Sequence, residues 1–121
     1  MRYLLLMYRD EKWWDAKPEA ERGAIRQLAV DVAEDLRKRG IFLTGDPLLP
    51  THTATTVRMR DGKPVATDGP FAETKEQLGG YSVVDVSTLD EALVIAKEHP
   101  LVRVGGHSIE IRPIRELSPP H

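Results

Sequence analysis

The chain has 121 residues, of which 17 are Lys or Arg and 19 are Asp or Glu, giving a formal net charge of -2. That length supports one hydrophobic core rather than two, and the near-balance of charge leaves no basic stripe to neutralise nucleic-acid phosphates. With no cysteine in the chain, disulfides, thiolate nucleophiles and Cys-bound metal sites are excluded.

The run from Tyr3 to Tyr8 is almost continuously apolar, with Leu4 and Leu6 on one face and Leu5 and Met7 on the other. Both faces want cover, which predicts a central strand. No small-residue cleavage site follows, and Arg9, Asp10 and Glu11 end the run, so it does not read as a leader. No stretch approaches the roughly 20 apolar residues of a membrane span. A soluble, cytoplasmic protein with no membrane partner is the expectation. In "DAKPEAERGAIRQLAVDVAEDLRKRG", Ile25, Leu28, Ala29, Val32 and Leu36 recur at helical spacing. Pro18 suits the first turn, Lys38 and Arg39 the last, and Gly40 a left-handed cap.

"IFLTG" reads as a short strand ended by Gly45, Asp46 and Pro47, with a Pro-bounded loop through Thr53. In "ATTVRMRDGKPVATDG" alternation about Asp61-Gly62 predicts a hairpin. "GYSVVDV" is a further strand, and "STLDEALVIAKEH" a helix with Thr88 and Glu91 at capping-box spacing, stopped by Pro100. "HSIEIRPI" is the closing strand, with Ile109 and Ile111 on one face, and residues 118–121 read as a frayed tail. The order predicts an α+β, ferredoxin-like sandwich: an antiparallel sheet with two helices on one face. The other face of the first strand is then bare, which predicts a homodimer packed sheet to sheet. The alternative is cover by the loop over residues 46–53.

The run "ATTVRMRDGKPVATDGPFAETKEQLGGYSVVDV", with the N-terminal "YLLLMY", the loop around Gly45 and Pro50 and the terminal "SIEIRPI", resembles the YCII-related, or DGPF, family over residues 1–117. The resemblance implies a dimeric α+β barrel, in which two ferredoxin-like subunits oppose their sheets and enclose a pocket. It also implies, through gene neighbourhood, a regulatory connection to an extracytoplasmic-function sigma factor. Relatives in the wider superfamily that act on aromatic rings use an aspartate with a histidine early in the first helix. Here "PEAERGAIRQL" has no histidine, so Asp68 lacks that partner and the mechanism does not carry over.

Between the hairpin and the next strand, "TDGPFAETKEQLGGY" concentrates the candidate chemistry. Asp68 precedes Gly69-Pro70, where its plain role is an Asx-type turn and its functional one is to orient or deprotonate a ligand. Glu73 is the second candidate catalytic carboxylate. Lys75 and Glu76 read as a solvated turn with surface ion pairs or as contacts to an acidic or hydroxylated ligand, Phe71 as a core anchor or a pocket wall for flat ligands, and Gly79-Gly80 as a bulge. Of the histidines, His52 and His107 are candidate ligand contacts, whereas His99 suits a helix end as a dipole-complementing cation. Trp13 and Trp14 read as cover for the core edge or the subunit interface, and in the sharper reading as an aromatic lid on the pocket, with Trp14 the candidate ligand contact. No metal-ligand spacing such as H-E-x-x-H, dinucleotide fingerprint or nucleophile elbow occurs, and no cofactor is implied. The resulting expectation is a homodimer binding a small organic molecule in an apolar barrel pocket, with Asp68 and Glu73 polarising or deprotonating it. A non-catalytic sensing or regulatory module is the alternative.

Overall fold

The first strand, β1 (Arg2–Asp10), lies between β5 (Glu76–Asp85) and β6 (His107–Pro113), and β2 (Phe42–Pro47) completes a four-stranded sheet of order β2-β5-β1-β6. Every pairing is antiparallel. This computed structural model describes residues 1–117; the expected tail over 118–121 lies outside them. The order is that of a ferredoxin-like α+β fold, with helices α2 (Glu19–Lys38) and α3 (Leu89–Glu98) between the strands. A hairpin, β3 (Thr55–Arg60) and β4 (Lys63–Asp68), forms a separate two-stranded sheet between β2 and β5.

Strand β1 is central because its side chains serve both faces. Tyr3 and Leu5 are buried with Val84, Val86 and Ala92, and Ile41, Ile95, Ile109 and Ile111 pack around them. Met7, on the same face as Leu5, joins a second cluster of Trp14, Ile25 and Leu101, with Leu28 and Ala29 from α2 against it. Both clusters lie on the helical side. On the other side, register places Leu4 beside Val83, Leu6 beside Tyr81, and Tyr8 beside Leu78. These side chains are half-buried at most, and Leu78 is exposed. The loop from Asp46 to Pro50 does not roof them: each of its residues is exposed, Leu49 at 76%. Thr51 instead bonds to Glu11 past the sheet's end, its backbone N–H donating to the carboxylate at 3.1 Å.

Local chemistry sets the boundaries. Gly40 takes the left-handed turn after α2 at φ 74°, and Thr88 caps α3 by accepting from the Glu91 N–H at 3.3 Å. Pro18 sits one place before α2 as its N-cap instead of within the first turn. Asp61 and Gly62, at φ 49° and 77°, make the hairpin turn that the Asp-Gly pair predicts. Strand β2 does not end at Gly45 but runs on to Pro47, and β5 starts at Glu76, four residues earlier than "GYSVVDV". A bulge at Gly79 permits this extension: Met7 pairs with Gly80 and Tyr8 with Leu78, so Gly79 is the extra residue.

Strands β2 and β5 approach closely at Gly45. A Cβ there would lie 2.6 Å from the Tyr81 carbonyl oxygen and 2.9 Å from the Ser82 Cα, both backbone atoms that cannot move singly. Gly45→Ala is therefore expected to destabilise the fold by about 1–3 kcal/mol. Urea unfolding should show a lower midpoint at an unchanged slope.

Candidate functional site

Where β1 ends, Asp10 turns strand into helix. Its carboxylate accepts from the backbone N–H groups of Lys12 at 3.1 Å and Trp13 at 3.2 Å, capping the five-residue helix α1 (Glu11–Asp15). That turn brings both tryptophans back over the end of the sheet. Trp14 is buried, and the Arg9 guanidinium lies over its ring at 3.7 Å from the centroid. Trp13 is half-buried, with the Lys17 ammonium 4.2 Å from its centroid. These are cation–π distances at which the ring faces attract the charge.

Behind the tryptophans sits His107, buried at the start of β6 and edge-on to both rings, 5.5 Å from Trp13 and 6.1 Å from Trp14 between centroids. Its protonation follows from its neighbours. The Arg9 Nε–H, an obligate donor, points at His107 Nε2 at 3.1 Å. Nε2 is therefore the acceptor, and Nδ1 carries the proton, donating to the Gly105 carbonyl at 2.9 Å. Burial holds this imidazole below its ordinary pKa; the Gly105 bond opposes that shift and Arg9 reinforces it. Burial likewise lowers the Arg9 pKa, with Arg26 adding to the effect. No carboxylate lies within ion-pair distance of Arg9 among the described residues. Gly106 closes the arrangement: at φ 68° it passes so near Trp13 that a Cβ would stand 2.3 Å from the ring.

On the solvent side of Trp13 opens a cleft of about 780 Å³, within the roughly 300–1,000 Å³ range of small-molecule sites. Tyr8, Asp10 and Glu76 line it from the sheet end, Trp13 and Gly106 from behind, and Thr74 and Lys75 from the segment leading into β5. Glu76 is oriented by Ser108, whose hydroxyl donates to its two oxygens at 3.0 and 3.2 Å. Tyr8 donates its hydroxyl to Glu110 at 2.9 Å, and that bond raises its pKa. Two carboxylates, an ammonium and two hydroxyls around an aromatic wall can orient a polar organic ligand. His107 cannot serve there as a free base, because both ring nitrogens are engaged.

Asp68 is exposed at the end of β4, opposite Thr55. The Asx-type turn is not formed, since its side chain makes no hydrogen bond among the described residues; the backbone of Gly69 secures the turn by donating to the Ala54 carbonyl at 2.7 Å. Phe71 is no core anchor, being 74% exposed. Glu73 and His52 are exposed, and neither lines the cleft. Trp14 and His107 lie behind Trp13 and do not reach the cleft surface. Tyr8 and Asp10 are not singled out by the sequence as site residues, whereas Trp13 and Glu76 are among its candidates, as part of an aromatic lid and as a ligand contact. Asp10 followed by Trp13 at cap spacing was the available signal, whereas Glu76 gains its place only through the Gly79 bulge. Among the described residues no group of His, Asp and Glu could hold a metal ion.

His99 also departs from expectation. It is 8% exposed and caps a second short helix, α4 (Pro100–Val104), its Nδ1 accepting from the Leu101 N–H at 3.2 Å. It is neutral rather than a dipole-complementing cation, with burial and then His107 lowering its pKa to about 4.

The family model for the YCII-related domain matches residues 1–118. An uncharacterised protein of Rhizobium meliloti (strain 1021) is 38% identical over 121 aligned residues, covering 98% of this chain and 96% of its own. The chain belongs to the YCII-related family.

The two buried histidines predict an acid-sensitive fold. The unfolded chain protonates His99 near pH 6.5, whereas the folded chain resists until about 4. Stability is full above about 6.5 and falls as pH drops towards 4, and His107 contributes in the same direction. His99→Asn keeps an acceptor for Leu101 and removes one titration. Thermal melts across that window should show a shallower fall in Tm for the variant than for wild type.

Proposed function

We propose that this member of the YCII-related family is a homodimer that binds a small organic molecule, with the open sheet faces of two copies opposed and the ligand held in the cleft beside them. The observation that carries the reading is the continuity of two surfaces. Leu4, Leu6, Val83 and Tyr81 form an apolar sheet face that no other element among the described residues roofs, and Tyr8 belongs both to that face and to the cleft wall. Burying such a face between copies is favoured by about 25 cal/mol per Å² of apolar surface removed from water, and the same packing would narrow the cleft's open side.

The chemistry favours binding over catalysis. Glu76, rather than Glu73, is the carboxylate that faces a ligand in its own subunit, and His107 is occupied in holding Arg9. A ligand that is apolar in body, with hydroxyl or amino groups for Glu76 and Asp10 and an acidic group for Lys75, matches the lining. On this reading the cleft senses or carries a metabolite, and Asp68 enters only if brought from elsewhere in the assembly.

Sedimentation at micromolar concentration should show a dimer, and a monomer would remove the basis of the reading. Thermal-shift screening of phenols, quinones and hydroxy- and amino-acids tests the cleft. Ligand at tenfold its Kd adds roughly 1.4 kcal/mol, or several degrees in Tm. Glu76→Gln should abolish the shift that Glu73→Gln retains; equal shifts in both variants would place the ligand elsewhere.

A further inference from the structure

The helical side of the fold carries a second recess. A groove of about 350 Å³ lies between α2, α3 and α4 and shares no lining residue with the cleft. Leu28, Val32 and Leu36, on successive turns of α2, give it an apolar wall together with Ile95 of α3. His99, 8% exposed, lines it from the junction of α3 and α4. One edge of that imidazole is accounted for. Its Nδ1 accepts from the Leu101 N–H at 3.2 Å, so neutral His99 carries its proton on Nε2. Burial keeps the ring in that neutral form. The Nε2–H has no acceptor among the described residues, yet it is not sealed in: the only fully enclosed side-chain nitrogen or oxygen without a partner among them is Arg22 Nε. Capping does not call for this donor. Ser, Thr, Asp or Asn supplies the same acceptor at a helix start, without a buried N–H that is penalised when its bond is unmade.

The margin of the groove is charged. Asp31, Asp35 and Glu98 are exposed along it beside a single cation, Arg39. Arg39 is committed to Asp35 at 3.3 Å, and Asp31 accepts from the Gln27 amide at 2.9 Å. Glu98 has no ion-pair partner among the described residues. The excess of carboxylates attracts a cation and repels an anion. We infer that this groove is a second ligand site, for a small organic ammonium that also carries a hydroxyl or carbonyl oxygen. Its apolar body lies along Leu28, Val32, Leu36 and Ile95, its oxygen accepts from His99 Nε2–H, and its ammonium meets the carboxylates of the margin at Glu98. The volume stands at the lower end of the range for small-molecule sites, which suits a body of one ring. The site depends on neither the homodimer nor the cleft.

Tyramine is the probe, with a ring for the walls, a phenol oxygen for Nε2–H and an ammonium for the margin. Titration of the wild-type protein, followed by nitrogen–proton correlation spectra of the histidine rings, reads His99 Nε2 directly and should show a saturable shift. Phenethylamine, which lacks the oxygen, should bind about 3- to 10-fold more weakly. The carboxylate counterpart, para-hydroxyphenylpropionate, should bind roughly tenfold more weakly than tyramine. These comparisons need no variant. His99→Asn keeps the acceptor for Leu101 but is too short to reach the oxygen, and it should bring tyramine down to the affinity of phenethylamine. Glu98→Gln, an exposed change, should weaken tyramine about threefold. The absence of a saturable shift at His99, or phenethylamine binding as tightly as tyramine, overturns the site. Tyramine binding that Glu76→Gln abolishes and Glu98→Gln retains would place the ligand in the cleft and overturn the groove while leaving the cleft reading intact.

Discussion

One strand with two apolar faces meets one layer of helices, and the rest of the structure depends on that mismatch. Tyr3, Leu5 and Met7 are served by the helical side, where α2 and α3 supply the cover. Leu4, Leu6 and Tyr8 are not. Among the described residues no further layer covers them, and a core this small uses most of its apolar side chains on its first closed face. The remaining length goes into the hairpin and the connecting segments, which stand away from the sheet. The fold thus concentrates its stability on one side of β1 and its accessible surface on the other.

The end of β1 is held by a polar and aromatic cluster rather than by more aliphatic packing. Arg9 contacts Trp14 through its face and His107 through Nε. His107 in turn fixes the Gly105–Gly106 turn against Trp13. In each contact a donor meets an acceptor or a cation meets a ring, so the tautomer of a single histidine ties α1 to β6. Buried polar networks of this kind are demanding, since any unsatisfied member is penalised. In return they impose one geometry, and the back wall of the cleft inherits it.

The fold was largely legible from the chain. Period-two and period-3.6 patterns, the Asp-Gly turn and the Thr88–Glu91 box each act within a few residues, and these placed both long helices and every strand. Short helices escaped because five-residue elements such as α1 and α4 carry no periodicity. The site was far less legible. Asp68, Phe71 and Glu73 stood out as a dense local motif, yet local density does not determine where a segment lies relative to the sheet. The cleft gathers residues from positions 8 to 106, and only strand pairing brings these together. His99 and His107 illustrate the same limit: sequence supplies an imidazole, and burial decides that it is neutral.

The extra residue at Gly79 has a consequence for how such a site can change over time. Side chains alternate along a strand, so one inserted residue reverses the parity of everything before it. With the bulge, Glu76 pairs with Asp10 and shares its face; counting back from the Met7–Gly80 pair without it, Gln77 would stand there instead. With the Met7–Gly80 pair kept, gain of one further residue beside the bulge would set Gln77 opposite Asp10 and exchange a carboxylate for an amide at the ligand-facing position, whereas loss of Gly79 would give a regular ladder with Glu76 still there.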